Sequence, residues 1–278
     1  MVNPFKILFA TDFSQGAKIA ANTLERLDEV YDAEIRLIHV VESYWKNWLS
    51  SRQYEKEALE RLRSWQKKFF KKINIEEWYI KTGNPADMII QVANRTRASL
   101  ILLGGRVEDE LGRYKSCTTV ESVVRFTKRP VWICKTPKVS RILCGIDGSS
   151  HSQKTLQFCI DLCWRFSAKL DIVHVMPAYL PAFGMSVRTM KQEEEKFKAE
   201  NIKKIERFLA KFDFKGIKYN LFFRSGMPAS VMLDLAEDEG YDLIAIGARG
   251  QSILRHILLG STAEKILRYT PCSLLVVR

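Results

Sequence analysis

Short apolar runs alternate with amphipathic segments along the whole chain. In the second half the predicted strands cover 141–146, 170–176, 217–223, 242–247 and 273–278, and the predicted helices cover about 150–167, 187–212, 228–239 and 260–268. Continuous apolar strands separated by helices indicate a parallel sheet that is covered on both faces. With right-handed crossovers, each half is predicted to form an α/β fold, an open, doubly wound, Rossmann-like sheet of about five strands.

The chain repeats itself with a period of about 135–143 residues, which indicates the duplication of a whole domain. The segments 7–14, 35–40, 83–87, 100–106 and 129–134 recur at 142–149, 170–175, 226–230, 243–249 and 270–277. A polar joint over 135–138 separates the halves. We therefore predict two tandem domains, 1–137 and 138–278.

A glycine pattern near residue 250 indicates an anion-binding site. An apolar run ends at Gly247, and Gly250 and Gly260-Ser261 follow in the spacing Gly-x2-Gly-x9-Gly-Ser. Backbone N–H groups of glycine turns and helix N-termini bind phosphate. Ser261 and Thr262 are predicted as the N-cap and first turn of the next helix. The pattern favours a polyphosphate site; the alternative is that these glycines only shape turns.

Three positions distant in sequence meet at one edge of the predicted sheet. Asp147, Val175 and Gly247 each end a strand, and ligands of doubly wound sheets bind beyond the carboxyl ends of the strands. Asp147 also precedes Gly-Ser-Ser, so its carboxylate suits a turn or a helix N-cap. Both roles are compatible at one residue.

The bulk composition narrows the class of protein. The chain has 278 residues, a net charge of +12 and 46% hydrophobic residues, as in a soluble globular protein. No apolar run reaches the roughly 18 residues of a membrane span, and no signal peptide is present, so a cytoplasmic location is expected. The densest basic run, 67–72, suits a solvated helix face, or contact with nucleic acid or an anionic membrane surface.

Cysteine and histidine give little indication of catalysis. Cys159 and Cys163 share a helix face, which would allow a metal or redox pair. Because the six cysteines follow no metal-binding spacing, we expect buried thiols instead. His39 and His174 occupy equivalent places in the repeat and are predicted to be structural. His256 lies in the spacer of the glycine pattern and is expected at the surface.

These residues resemble the universal stress proteins in a tandem, two-domain form, over essentially the whole chain. The Gly-x2-Gly-x9-Gly-Ser pattern matches the nucleotide-binding branch of that family, whose fold is of the adenine nucleotide alpha-hydrolase-like group. The resemblance implies an ATP, ADP or AMP site, with Mg²⁺, in the second domain. The implied site residues are Gly145, Ile146, Asp147, Val175, Ile246, Gly247, Arg249, Gly250, Gly260, Ser261 and Thr262.

The first half departs from this pattern. In an alignment without gaps Val107 replaces the second glycine and Cys117 the third, while three consecutive acids, 108–110, occupy the intervening loop. Acids beside a polyphosphate repel it. We therefore predict that the first domain binds ATP weakly or not at all.

The resemblance implies an ATP-binding stress-response sensor or regulator with slow or no hydrolysis, since no general base is evident. The two halves are expected to pair as an intramolecular pseudo-dimer through 129–135 and 273–278, and a further homodimer is possible in this family. Three alternatives stay open: a nucleotide-independent protein-interaction module, a basic nucleic-acid-binding protein, and an ATP-using enzyme with a second substrate.

Overall fold

The computed structural model describes residues 4–41, 51–69, 73–105, 118–176, 187–250 and 259–278. The first repeat contains β1 (Lys6–Ala10), α1 (Gln15–Tyr31), β2 (Glu34–Val41), α2 (Ser51–Phe69), β3 (Ile75–Thr82), α3 (Pro85–Arg95), β4 (Leu100–Gly104), α4 (Thr118–Phe126) and β5 (Val131–Cys134). The second contains β6 (Arg141–Gly145), α5 (Ser150–Phe166), β7 (Lys169–Met176), α6 (Val187–Leu209), β8 (Tyr219–Ser225), α7 (Pro228–Asp238), β9 (Leu243–Gly247), α8 (Ser261–Tyr269) and β10 (Ser273–Val277). The duplicated α/β fold is thereby confirmed.

The described residues form two compact units. The first comprises Met1–Lys138 with Cys272–Val276, and the second comprises Val139–Pro271 with Val277–Arg278. The strand β10 therefore belongs to the first unit although it is coded at the end of the second repeat. It pairs antiparallel with β5, with Leu275 opposite Trp132. These are the two segments that the sequence predicted to pair.

Each unit has a parallel sheet whose strand order reverses once. In the first unit the order is β3-β2-β1-β4-β5, and in the second it is β9-β6-β7-β8. The reversal therefore lies beside β1 in one unit and beside β6 in the other. This is the place where doubly wound sheets bind ligands.

The first helix of each unit begins at a serine cap directly after the first strand. Ser14 accepts a hydrogen bond from Ala17 N, and Ser149 accepts one from Ser152 N. Buried residues then recur at helical spacing, as at Ala17, Ala20, Ala21, Leu24 and Leu27 of α1. The strands β4 and β9 are buried along their first four residues, so helices cover both faces. None of the described helices is long and apolar enough to cross a membrane.

A buried carboxylate ties together the amino-terminal ends of the strands of the second unit. Asp171 of β7 is 3% exposed and accepts hydrogen bonds from Tyr241 Oη at 2.6 Å and Asn220 Nδ2 at 2.7 Å. Arg141 of β6 forms an ion pair with the same carboxylate at 3.4 Å. This network lies at the sheet edge opposite the carboxyl ends of the strands. It therefore holds the scaffold and takes no part in a site at the other edge.

Candidate nucleotide-binding cavity

A cavity of about 300 Å³ lies at the carboxyl ends of β6, β7 and β9 in the second unit. Its lining contains every residue that the sequence assigned to the site: Gly145, Ile146, Asp147, Val175, Ile246, Gly247, Arg249, Gly250, Gly260, Ser261 and Thr262. It also contains Ser152, Pro228, Met232, Ala248 and Ala263, which sequence reasoning missed. The repeat gave a hint of Pro228, because it aligns this residue with Pro85. Pro85 lines the corresponding cavity of the first unit.

The N-cap of α8 lies one residue earlier than predicted. Its N-cap is Gly260, and no side chain caps it; Ser261 is the first helical residue. The prediction of Ser261 as the N-cap is therefore wrong, because Gly260 adopts the extended cap conformation (φ −71°, ψ 152°) that a serine would otherwise supply. A helix start without a side-chain cap leaves its first N–H groups to a ligand or to water.

Asp147 forms a turn and is not the cap of α5. Its Oδ1 accepts a hydrogen bond from Ser149 N at 2.9 Å, and Ser149 is the N-cap. The other carboxylate oxygen, Oδ2, faces Gly250: a Cβ added there would lie 2.7 Å from it. Gly250 is thus required for the close approach of the two ends of the cavity wall.

Gly247 and Gly145 are also sites of close packing. A Cβ on Gly247 would lie 2.8 Å from His151 Cβ at the start of α5. A Cβ on Gly145 would lie 2.7 Å from the sulfur of Met232. Gly260 differs, because the nearest atom to an added Cβ is 3.5 Å away. A Cβ at Gly260 would therefore make only ordinary van der Waals contacts.

Arg249 lines one end of the cavity, and other basic residues lie near it. The hydrogen bond from Ala248 N to Val277 O at 2.8 Å brings Arg249 and Arg278 next to each other. Arg249 Nε is buried and has no hydrogen-bond partner among the described residues. Burial and then Arg249 lower the pKa of Arg278 to about 10. Lys154 Nζ reaches Arg278 O at 3.1 Å. This end of the cavity is therefore suited to an anion.

The two strand histidines have the structural role that the sequence predicted in each unit. His174 is 6% exposed, and its Nδ1–H donates to Ile146 O at 2.9 Å; His39 donates to Thr11 O at 2.8 Å. A carbonyl only accepts, so Nδ1 carries the proton in both rings. Burial, the largest cause, lowers the pKa of both histidines.

Acidification is expected to destabilise the protein through these histidines. Because the pKa in the folded state lies below the unfolded value of about 6.5, the unfolded chain binds more protons below that pH. The free energy of unfolding should therefore fall as the pH drops from about 7 to about 5. His174→Asn keeps a donor near Nδ1 but does not titrate, so it should reduce this pH dependence. Urea unfolding at several pH values measures it.

His39→Asn is the matched variant in the first unit, and the double variant should show the smallest dependence. If the double variant and the wild type lose the same stability between pH 7 and pH 5, groups other than these histidines control the effect.

The first unit has a counterpart of the cavity, of about 160 Å³. Its lining is Ala10, Thr11, Asp12, Ile38, Val40, Pro85, Ile89, Leu103, Gly104, Thr119 and Val120. Asp12, Val40 and Gly104 correspond to Asp147, Val175 and Gly247. The positions that distinguish the halves, Val107, Cys117 and the acids 108–110, lie outside the described residues, as does His256.

The described cysteines are buried thiols. Cys134, Cys144, Cys159, Cys163 and Cys272 are free and buried, and Cys117 lies outside the described residues. Burial raises the pKa of Cys163 to about 12, so its thiol is unreactive near neutral pH. Within the part of the chain that the structure describes, no group of three or more His, Cys, Asp or Glu side chains could hold a metal ion.

Comparison with known proteins identifies relatives of both halves. The model of the Universal stress protein family matches residues 5–135 and again 138–278. Universal stress protein YxiE of Bacillus subtilis is 30% identical over 146 residues, covering 50% of this chain and 99% of its own. The crystal structure of a universal stress protein from Archaeoglobus fulgidus covers 99% of both chains at 22% identity with a TM-score of 0.71, which shows a common fold.

Proposed function

The chain belongs to the universal stress protein family, and from this premise we propose that its second unit binds an adenine nucleotide, with ATP preferred. One observation supports this most directly: residues from four separate chain segments, chosen from the sequence, line a single cavity. Its volume of about 300 Å³ suits a small ligand that is partly exposed at one end.

The orientation of the nucleotide follows from the two ends of the cavity. Asp147 and Val175 lie at the strand ends, where the carboxylate can accept hydrogen bonds from ribose hydroxyls. The start of α8, with Ser261 and Thr262, offers N–H and hydroxyl donors for phosphates. Arg249 and the neighbouring Arg278 add charge at this end. The two arginine side chains repel each other, and three phosphates offset this repulsion better than one. ATP should therefore bind more tightly than AMP.

Magnesium fits this site only together with the phosphates. Mg²⁺ prefers oxygen ligands and commonly takes them from one or two protein groups and the substrate phosphates. The described residues supply hydroxyls at Ser261 and Thr262 and the carboxylate of Asp147, without a dedicated metal cluster. Bound Mg²⁺ would neutralise phosphate charge there.

The proposed role is that of a regulator whose stability depends on the ATP concentration. A ligand that binds only the folded protein stabilises it by mass action, so the second unit would be more rigid at high ATP concentration. The family suggests a response to stress, and the proposed activity of the site is binding rather than turnover. Pairing of β5 with β10 fits the expectation of an internal pair.

Calorimetric titration of nucleotide-stripped protein with Mg-ATP tests the proposal. We expect one site in each chain, because only the second half retains the full glycine pattern, and weaker binding of AMP. Two equivalent sites would refute the assignment of a degenerate first unit. No heat up to millimolar ATP would refute nucleotide binding and favour an interaction module.

A further inference from the structure

A second, basic groove lies on the flank of the second unit, apart from the nucleotide cavity. It has a volume of about 390 Å³ and lies between the turn at Gly148 and the carboxyl-terminal part of α6. Its lining is Gly148, Glu200, Lys203, Lys204, Arg207, Phe208 and Lys211. It shares no lining residue with the nucleotide cavity. The two spaces are therefore separate.

In the first unit an aromatic ring fills the equivalent place. Phe13 corresponds to Gly148, and both have positive φ, 65° and 80°. The Phe13 ring lies 4.6 Å from the His39 ring and 5.4 Å from Trp65 of α2, and the Arg61 guanidinium lies 4.7 Å from its centre. Gly148 has no side chain to put there. Gly148 therefore leaves open the space that corresponds to the Phe13 ring.

The segments that face these two turns correspond at several positions. Arg61 lowers the pKa of His39, and Lys204 lowers the pKa of His174, in each case after burial. The ring of Trp65 is next to Phe69, as the ring of Phe208 is next to Phe212, at 4.8 and 5.2 Å. The same architecture therefore carries a packed aromatic cluster in one unit and a groove in the other.

The groove has a strong excess of positive charge. Lys203, Arg207 and Lys211 are exposed and follow each other at intervals of four residues, so they form one row along the helix and the turn after it. No described residue forms an ion pair with these three side chains. Glu200 is the single acid in the lining. A helix C-terminus stabilises nearby cations, but this effect accounts only for Arg207. It is the one member of the row in the last turn of α6.

We propose that this groove binds a small anion with several phosphate groups, of the oligophosphate class. The four cations match a compact, multiply charged ligand, and the volume is within the range of small-molecule sites. Gly148 directly precedes the capped start of α5, so the positive end of that helix dipole adds to the attraction. The proposal stands independently of nucleotide binding in the cavity.

Titration of the full chain with inorganic tripolyphosphate tests the proposal. Gly148→Phe copies the first unit and should lower tripolyphosphate affinity about ten-fold or more by filling the groove. Phe13 shows that phenylalanine is compatible with this turn, since Asp12 accepts from Ser14 N at 2.9 Å as Asp147 does from Ser149 N. The affinity for ATP should therefore change little.

A charge variant gives an independent result. Lys203→Gln, Arg207→Gln and Lys211→Gln in one protein should lower tripolyphosphate affinity at least about ten-fold, with ATP affinity retained. The control removes the same charge elsewhere on the unit, by Lys191→Gln, Lys196→Gln and Lys218→Gln, and should bind as the wild type does.

Three results would overturn the proposal: no binding of tripolyphosphate by the wild type at 1 mM, roughly the weak limit of specific binding; an equal loss in the control; or a loss caused by Gly250→Val but not by the groove variants.

Discussion

Replacing Gly250 by valine is expected to lower the affinity for Mg-ATP by about ten- to 100-fold, with the fold intact. The first added carbon would lie 2.7 Å from Asp147 Oδ2. Oδ1 of that carboxylate is held by Ser149 N, so the side chain has to leave its place in the cavity wall. Gly250 itself is exposed, and its replacement fills no core space. Calorimetric titration gives the affinity, and thermal unfolding of the nucleotide-free variant checks the fold.

The repeat offers a matched control for this experiment. Asp147→Ala and Asp12→Ala each remove the same turn hydrogen bond, 2.9 Å long in both units. Both variants should lose similar stability, whereas only Asp147→Ala should weaken ATP binding. Wild-type affinity in both Gly250→Val and Asp147→Ala would show that the nucleotide site has been assigned to the wrong place.

Replacing Asp171 by alanine should lower the free energy of unfolding by about 3–5 kcal/mol, because it breaks a buried polar network. The carboxylate is 3% exposed and accepts from Tyr241 and Asn220 while it faces Arg141. Without it, the buried Tyr241 hydroxyl loses its acceptor. Urea denaturation with fluorescence detection measures the loss, and the affinity for ATP should not change.

The first unit has the matched control at the same position of its second strand. Arg36 replaces the aspartate there, and its partners Glu34, Glu76 and Glu77 are 25%, 42% and 53% exposed. Solvent screens such pairs, so Arg36→Ala should cost at most about 1 kcal/mol. If Asp171→Ala and Arg36→Ala lowered the free energy of unfolding by similar amounts, burial would not explain the effect of Asp171→Ala. Tyr241→Phe should cost an intermediate amount, about 1–3 kcal/mol, because Asp171 Oδ2 loses its short hydrogen bond and keeps only the longer contact with Arg141.

Much of the fold could be predicted because its elements obey local rules. The continuous apolar runs that end at Gly145 and Gly247 and the repeated Asp-x-Ser turns fix the strands and the first helix of each unit. The N-cap of α8 was predicted at Ser261, one residue too late, since glycine and serine both occupy N-caps and the sequence alone does not choose between them.

The lining of the candidate cavity was predictable to the extent that backbone geometry defines it. Glycines and strand ends mark where a chain approaches a ligand, so Asp147, Val175 and Gly250 could be named in advance. The adjacency of Arg249 and Arg278 could not, because it depends on the hydrogen bond between Ala248 and Val277, 29 residues apart in the chain. The groove at Gly148 depends on what packs against the turn, which no local pattern records.

The position of β10 has a consequence for how the protein is made. Residues 273–276 of β10 lie next to β5 in the first unit, yet they leave the ribosome after all the other described strands. During synthesis the β5 edge is therefore without its partner strand, and exposed edges promote pairing with other chains. A nascent chain paused before β10 should thus be the species that depends most on chaperones.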